Sequence, residues 1–105
     1  MMNFKQLLLH VNARPFIDQA RFGIEREGQR VDLAGNLAKT DHPAIFGDRS
    51  YHPYIQTDFS ETQTEMITPV TDSIPELFQY LAAVYDVTAR SIPKEEMIWP
   101  LSCLL

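Results

Sequence analysis

Phe22-Gly23-Ile24-Glu25-Arg26-Glu27-Gly28 alternates apolar and charged residues, which is the period of a β-strand. Glu25 and Glu27 therefore share one face of that strand, with Arg26 on the other. Two like charges on one strand face repel, and a fold keeps such a pair when something cationic sits against it. A second stretch, Thr57-Asp58-Phe59-Ser60-Glu61-Thr62-Gln63-Thr64-Glu65, holds three carboxylates and no Lys or Arg, so it cannot neutralise itself locally. Brought together, the two stretches make an oxygen-rich cage, a ligand set that suits Mg²⁺ better than zinc. One condition attaches to this. Asp58 and Glu65 are an odd number of residues apart, so a flat strand would place them on opposite faces. A bulge or bend near Ser60 is required to give them a common face.

The totals bound the rest. The chain has 105 residues, a formal net charge of −5 and a single cysteine, Cys103. That length suits one small domain. The acidic balance argues against a nucleic-acid or anionic-membrane partner, which would need a basic patch. A lone cysteine cannot staple a fold and fits a reducing compartment. Leu7-Leu8-Leu9 is too short a run for a signal sequence or a membrane span, so cytoplasm is the expected location.

In chain order, Phe4, Leu7, Leu8 and Val11 recur at helical spacing and predict a short amphipathic helix. Pro15 interrupts it, and Phe16 to Ala20 adds a turn. Strand patterning runs from Arg21 to Asp32. Ala34-Gly35-Asn36 is turn chemistry, so Leu37 to Thr40 is expected to return as the second strand of a hairpin. Asp41 to Pro53 reads as loop. Tyr54 to Asp58 is strand-like, and Thr62 to Val70 is a β-branched run. Ser73-Ile74-Pro75-Glu76 predicts a helix start with a capping box. Leu77, Phe78, Leu81, Val84 and Tyr85 form an apolar stripe for packing on a sheet, and the helix should stop by Ile92, before Pro93. Lys94 to Leu105 mixes charge with a large apolar content. The fold class is α+β.

Plainer readings stand beside the metal cage. Taken alone, Glu25 and Glu27 fit the solvated face of a hairpin better than a ligand pair. His42 and His52 suit turn hydrogen bonding more than zinc ligation. Arg26 and Arg30 fit ion pairs better than phosphate binding, and Tyr51, Tyr54 and Trp99 fit packing better than stacking. The chain has no Gly-rich phosphate loop of the P-loop or dinucleotide-binding type, and no Ser/His/Asp arrangement stands out.

The same residues carry a wider resemblance. Phe22 to Val31 resembles the opening strand of glutamate–cysteine ligase, also called γ-glutamylcysteine synthetase. Thr40-Asp41-His42-Pro43, Tyr51-His52-Pro53-Tyr54-Ile55-Gln56-Thr57-Asp58-Phe59-Ser60-Glu61 and Glu65-Met66-Ile67-Thr68-Pro69-Val70 are similar to its following segments, in order. Trp99-Pro100-Leu101-Ser102 resembles the motif that closes this region. Glu-Arg-Glu-Gly combined with Tyr-His-Pro-Tyr is closest to the ligase domain of bacterial bifunctional glutathione synthases, in which an ATP-grasp domain follows.

The resemblance implies a partial antiparallel sheet with flanking helices, a fragment of a catalytic domain like that of glutamine synthetase. It implies glutathione biosynthesis: the γ-carboxyl of L-glutamate is phosphorylated by ATP and then joined to the amine of L-cysteine. Mg²⁺, with Mn²⁺ as a substitute, neutralises the phosphates. The family's metal-binding carboxylates match Glu25, Glu27, Asp58 and Glu65, and Glu61 is a weaker match that would ligate or orient a ligand. Nucleotide and cysteine contacts are left unassigned. The family pattern continues Trp-Pro-Leu-Ser-Met-Pro, whereas Ser102 here is followed by Cys103-Leu104-Leu105. Residues 1–105 are thus expected to be the amino-terminal part of a ligase domain, inactive alone, with the remainder of that domain as a partner. A non-catalytic acidic module that binds a divalent cation or a partner is the alternative, and a non-functional remnant of a truncated gene is a third.

Overall fold

The computed structural model describes residues 1–12 and 14–101. Its centre is a four-stranded antiparallel sheet of β1 (Glu25–Asp32), β2 (Ile55–Asp58), β3 (Ser60–Ile67) and β4 (Glu96–Trp99), in the order β2-β3-β1-β4. The opening stretch enters the inner strand β1 at Glu25, flanked by β3 and β4, while Phe22 before it makes an isolated bridge to Thr71. Among the described residues three helices accompany the sheet: α1 (Phe4–His10), α2 (Arg14–Ile17) and α3 (Ile74–Ser91), with a 3₁₀ turn at Ala44–Phe46. The motif residue Ser102, together with Cys103, Leu104 and Leu105, lies outside the described residues.

The hairpin expected after Ala34-Gly35-Asn36 does not form as a strand pair. The turn is there: Asp32 N–H donates to Asn36 O, and Gly35 sits at φ 88°. Leu37 makes only an isolated bridge to Val31, and the chain then leaves. The opposite edge of β1 at Gln29–Asp32 pairs with β4, since Val31 bridges both Leu37 and Met97. That strand lies in the apolar terminal stretch for which no element was predicted. Its Ile98 is buried and accounts for part of the apolar content there. Gly28 explains the close approach: a Cβ on it would lie 2.6 Å from Ile98 Cγ2 and 3.0 Å from Trp99 O.

α3 starts and stops as its signals require, from the N-cap Ser73, whose Oγ accepts from Glu76 N–H, to the C-cap Ile92. The reciprocal half of the capping box is absent. Glu76 accepts instead from Thr71 Oγ1 and Tyr80 OH. The predicted stripe is split: Leu77 is buried and contributes to the packing of α3 along β3, but Phe78 is 59% exposed. α1 is capped reciprocally by Asn3 and Gln6, and none of its residues is buried. The radius of gyration is 17.9 Å, against about 13 Å for a compact domain of this length. The core is correspondingly thin, with Val31, Ile55, Met66, Leu77 and Ile98 at its centre.

Candidate metal centre

The register of β1 on β3 places Glu27 directly opposite Glu65 and Gln29 opposite Gln63. Side chains alternate along each strand, so Glu25, Glu27, Gln63 and Glu65 share one sheet face. On its other side Glu65 faces Gln56 of β2. The bend needed to bring Asp58 to that face is present. Thr57 pairs with Thr64, but the next pair is Asp58 with Ser60, and Phe59 between them takes φ 57°. A left-handed backbone at a bulky residue is uncommon. Here it turns β2 into β3 and breaks the period that would have sent Asp58 away from Glu65.

One carboxylate oxygen from each of Glu27, Asp58 and Glu65 lies within 4.8 Å of the others, and all three side chains are partly buried. Opposed oxygens on an octahedral Mg²⁺ are about 4.2 Å apart, so the triplet fits such a cation with small side-chain movement. Glu25 stands beside the group, on the same face as Glu27 and lining the same cleft as Glu65. Burial, and after it the charges of Glu25, Asp58 and Glu27, raises the Glu65 carboxyl above its ordinary pKa. Among the described residues no Lys or Arg forms an ion pair with any of these four carboxylates. Arg26 lies nearby but donates to Pro100 O at 3.4 Å. Glu61 points elsewhere, its Oε1 accepting from His42 N–H at 2.9 Å.

β4 covers only the far half of β1, so the Glu25–Gly28 half has a free side. A cleft of about 540 Å³ opens there, lined by Glu25, Glu27 and Glu65, with Arg26, Leu81 and Leu101 at its margins. Glu25, Glu27 and Glu65 therefore face a space large enough for a small anionic ligand carrying a cation.

The other candidates resolve into structure. Arg30 is fully buried, paired with Glu96 Oε1 at 2.7 Å and with Thr40 Oγ1 and O at 2.8 Å each. His52 Nδ1 accepts from the Tyr54 and Ile55 N–H groups, the turn role favoured by its sequence context. His42 is buried against Phe46 with neither ring nitrogen hydrogen-bonded, and burial, then Arg30, holds its pKa below the ordinary value. The residue sequence reasoning missed is Gln63, which donates to Glu27. Its position two before Glu65 on a strand was the available signal.

These features define a class: a carboxylate cluster borne on an antiparallel sheet beside an open cleft. The sequence profile of the glutamate–cysteine ligase family matches residues 6–104, and the chain belongs to that family. The glutathione biosynthesis bifunctional protein GshAB of Enterococcus faecalis is 57% identical over 101 residues, covering 96% of this chain and 13% of that protein. Its counterpart in Pasteurella multocida is 48% identical over 98 residues, 92% of this chain and 13% of that protein. The crystal structure of a bifunctional glutathione synthetase from Pasteurella multocida matches with a TM-score of 0.76 and 47% identity over 90% of this chain and 13% of that one. A glutamate–cysteine ligase from Francisella tularensis, solved in complex with AMP, matches with a TM-score of 0.71 and 38% identity over 74% of this chain and 16% of that one. The chain thus spans about one-eighth of the length of the curated relatives cited here. No helix among the described residues is long and apolar enough to cross a membrane.

Proposed function

We propose that residues 1–105, as the amino-terminal part of a ligase domain, supply one carboxylate wall of a Mg²⁺–ATP site in glutathione biosynthesis. The reaction joins the γ-carboxyl of L-glutamate to the amine of L-cysteine at the expense of ATP. One observation carries the reading: three carboxylates from three strands converge, and among the described residues no cationic side chain is paired to them. Mg²⁺, or Mn²⁺ in its place, would supply neutralisation of the phosphates during phosphoryl transfer.

The chain's own residues set up that chemistry. Glu27, Asp58 and Glu65 would hold the cation as ligands, with Glu25 completing the set from the rim. Pairing with Glu65 of β3 fixes the position of Glu27 along the sheet, and the Phe59 bend delivers Asp58. Glu61 braces the loop at His42 behind the site. The far wall, with the cysteine and nucleotide contacts, would come from the remainder of the domain, so the chain alone is expected to be inactive. A cytoplasmic location fits the ATP requirement and the single cysteine.

The test is complementation. This chain is co-expressed with the Enterococcus faecalis relative lacking its matching segment, and ATP-dependent γ-glutamylcysteine formation is measured. Activity is expected to return, and Asp58→Asn to abolish it. Stable association without activity would favour a non-catalytic acidic module. Robust turnover by the isolated chain would contradict its role as one wall only.

A further inference from the structure

Gln63 is 8% exposed, and its Nε2 donates to Glu27 Oε2 at 2.8 Å. An ionised carboxylate only accepts hydrogen bonds, so this contact also fixes which way the amide points. The bond runs diagonally across the β1–β3 ladder, since Gln63 itself pairs with Gln29 and Glu27 pairs with Glu65. Glu27 thus meets a like charge straight across and a neutral donor on the diagonal. Without the donor, Glu27 would lower its repulsion from Glu65 by rotating towards water, and its oxygen would leave the triplet. A Lys or Arg at position 63 would hold Glu27 too, but its charge would compete with a cation. An amide restrains the carboxylate and leaves the site's negative charge intact.

The geometry points to Gln63 as a positioning residue: it holds Glu27 in the orientation in which Glu27, Asp58 and Glu65 converge on a divalent cation. It acts through Glu27 and does not itself touch the cation. This inference rests on the metal-binding reading of the triplet.

Mn²⁺ binding to the full chain, followed by electron paramagnetic resonance of the free ion, tests it. Gln63→Met keeps the length and removes the donor. It should weaken Mn²⁺ binding by about 10- to 100-fold, the range for lost ligand-orienting contacts, with the far-UV circular dichroism unchanged. A lowered Tm with unchanged Mn²⁺ affinity would make Gln63 merely structural and overturn the inference while leaving the metal reading intact. Absence of Mn²⁺ binding by the wild-type chain would overturn both. Should Gln63→Met not fold, the wild-type side-chain amide resonances of Gln63 are followed by ¹⁵N NMR during Mg²⁺ titration. They are expected to shift in step with occupancy, and resonances that stay fixed through saturation would overturn the proposal.

Discussion

β1 takes part in two charged clusters that handle their charge in opposite ways. Towards its end, Arg30 is fully buried, yet Glu96 and Thr40 surround its guanidinium, and Thr40 Oγ1 donates on to Glu96. Towards its start, Glu27 meets Glu65 and Asp58, with Glu25 beside them and no cationic partner among the described residues. Both clusters sit on the same rigid strand a few residues apart. The first is closed: its charges cancel inside the protein. The second keeps like charges together without a cationic partner among the described residues, and burial with that repulsion raises the Glu65 carboxyl. A closed ion pair and an unpaired carboxylate cluster are thus told apart by whether the protein itself completes the charge balance.

The closed cluster should break most severely. Glu96→Ala leaves Arg30 buried without its carboxylate and is expected to destabilise by about 3–5 kcal/mol, read as a lower urea midpoint. Pairing Arg30→Met with Glu96→Leu should recover most of that loss, because it removes both charges together. Failure to recover would mean that the pair does more than cancel its own charge.

Gly28→Ala probes the junction between the clusters. The added methyl would meet Ile98 and the Trp99 carbonyl, pushing β4, and with it Glu96, away from β1. Overpacking of this kind costs about 1–3 kcal/mol. A Tm lowered by several degrees is expected, and an unchanged Tm would show that β4 is held loosely.

The smallest effect is a pH dependence, and it sharpens the contrast. The Glu65 carboxyl is raised in the fold, so the folded chain binds a proton more readily than the unfolded one. Stability contributed by Glu65 is therefore present below its ordinary value of 4.5 and lost as pH rises through its folded value. His42 works oppositely. With its pKa lowered, its contribution is full above 6.5 and is lost as pH falls from there. Urea midpoints measured between pH 7 and 4 should show Glu65→Gln losing the acid-side gain and His42→Phe losing the acid-side decline. Mg²⁺ should reverse the Glu65 term, because a cation favours the ionised carboxylate.

Much of the site was legible because strand period is local. Glu25 and Glu27 on one face, Asp58 and Glu65 in a second acidic strand region, and the need for a bend between them all follow from counting residues. The hairpin expectation failed for a different reason. Local turn chemistry at Gly35 is real, but it returns Leu37 only to a single bridge with Val31, and the pairing further along β1 is made by the distant strand β3. The missing half of the capping box has a similar origin: Thr71 and Tyr80 engage the Glu76 carboxylate. Phe78, expected to pack, is exposed at the wall of an open groove between α3 and Arg26.

By itself, then, the sequence determined the kinds of element, the acidic inventory and the family, since these depend on residue type and short-range spacing. Only the tertiary structure decided that Glu27 faces Glu65, that Phe59 in a left-handed turn delivers Asp58 to them, and that Gln63 holds Glu27 from the diagonal. Register across strands is set by contacts between residues far apart in the chain, and no periodicity within one segment encodes it.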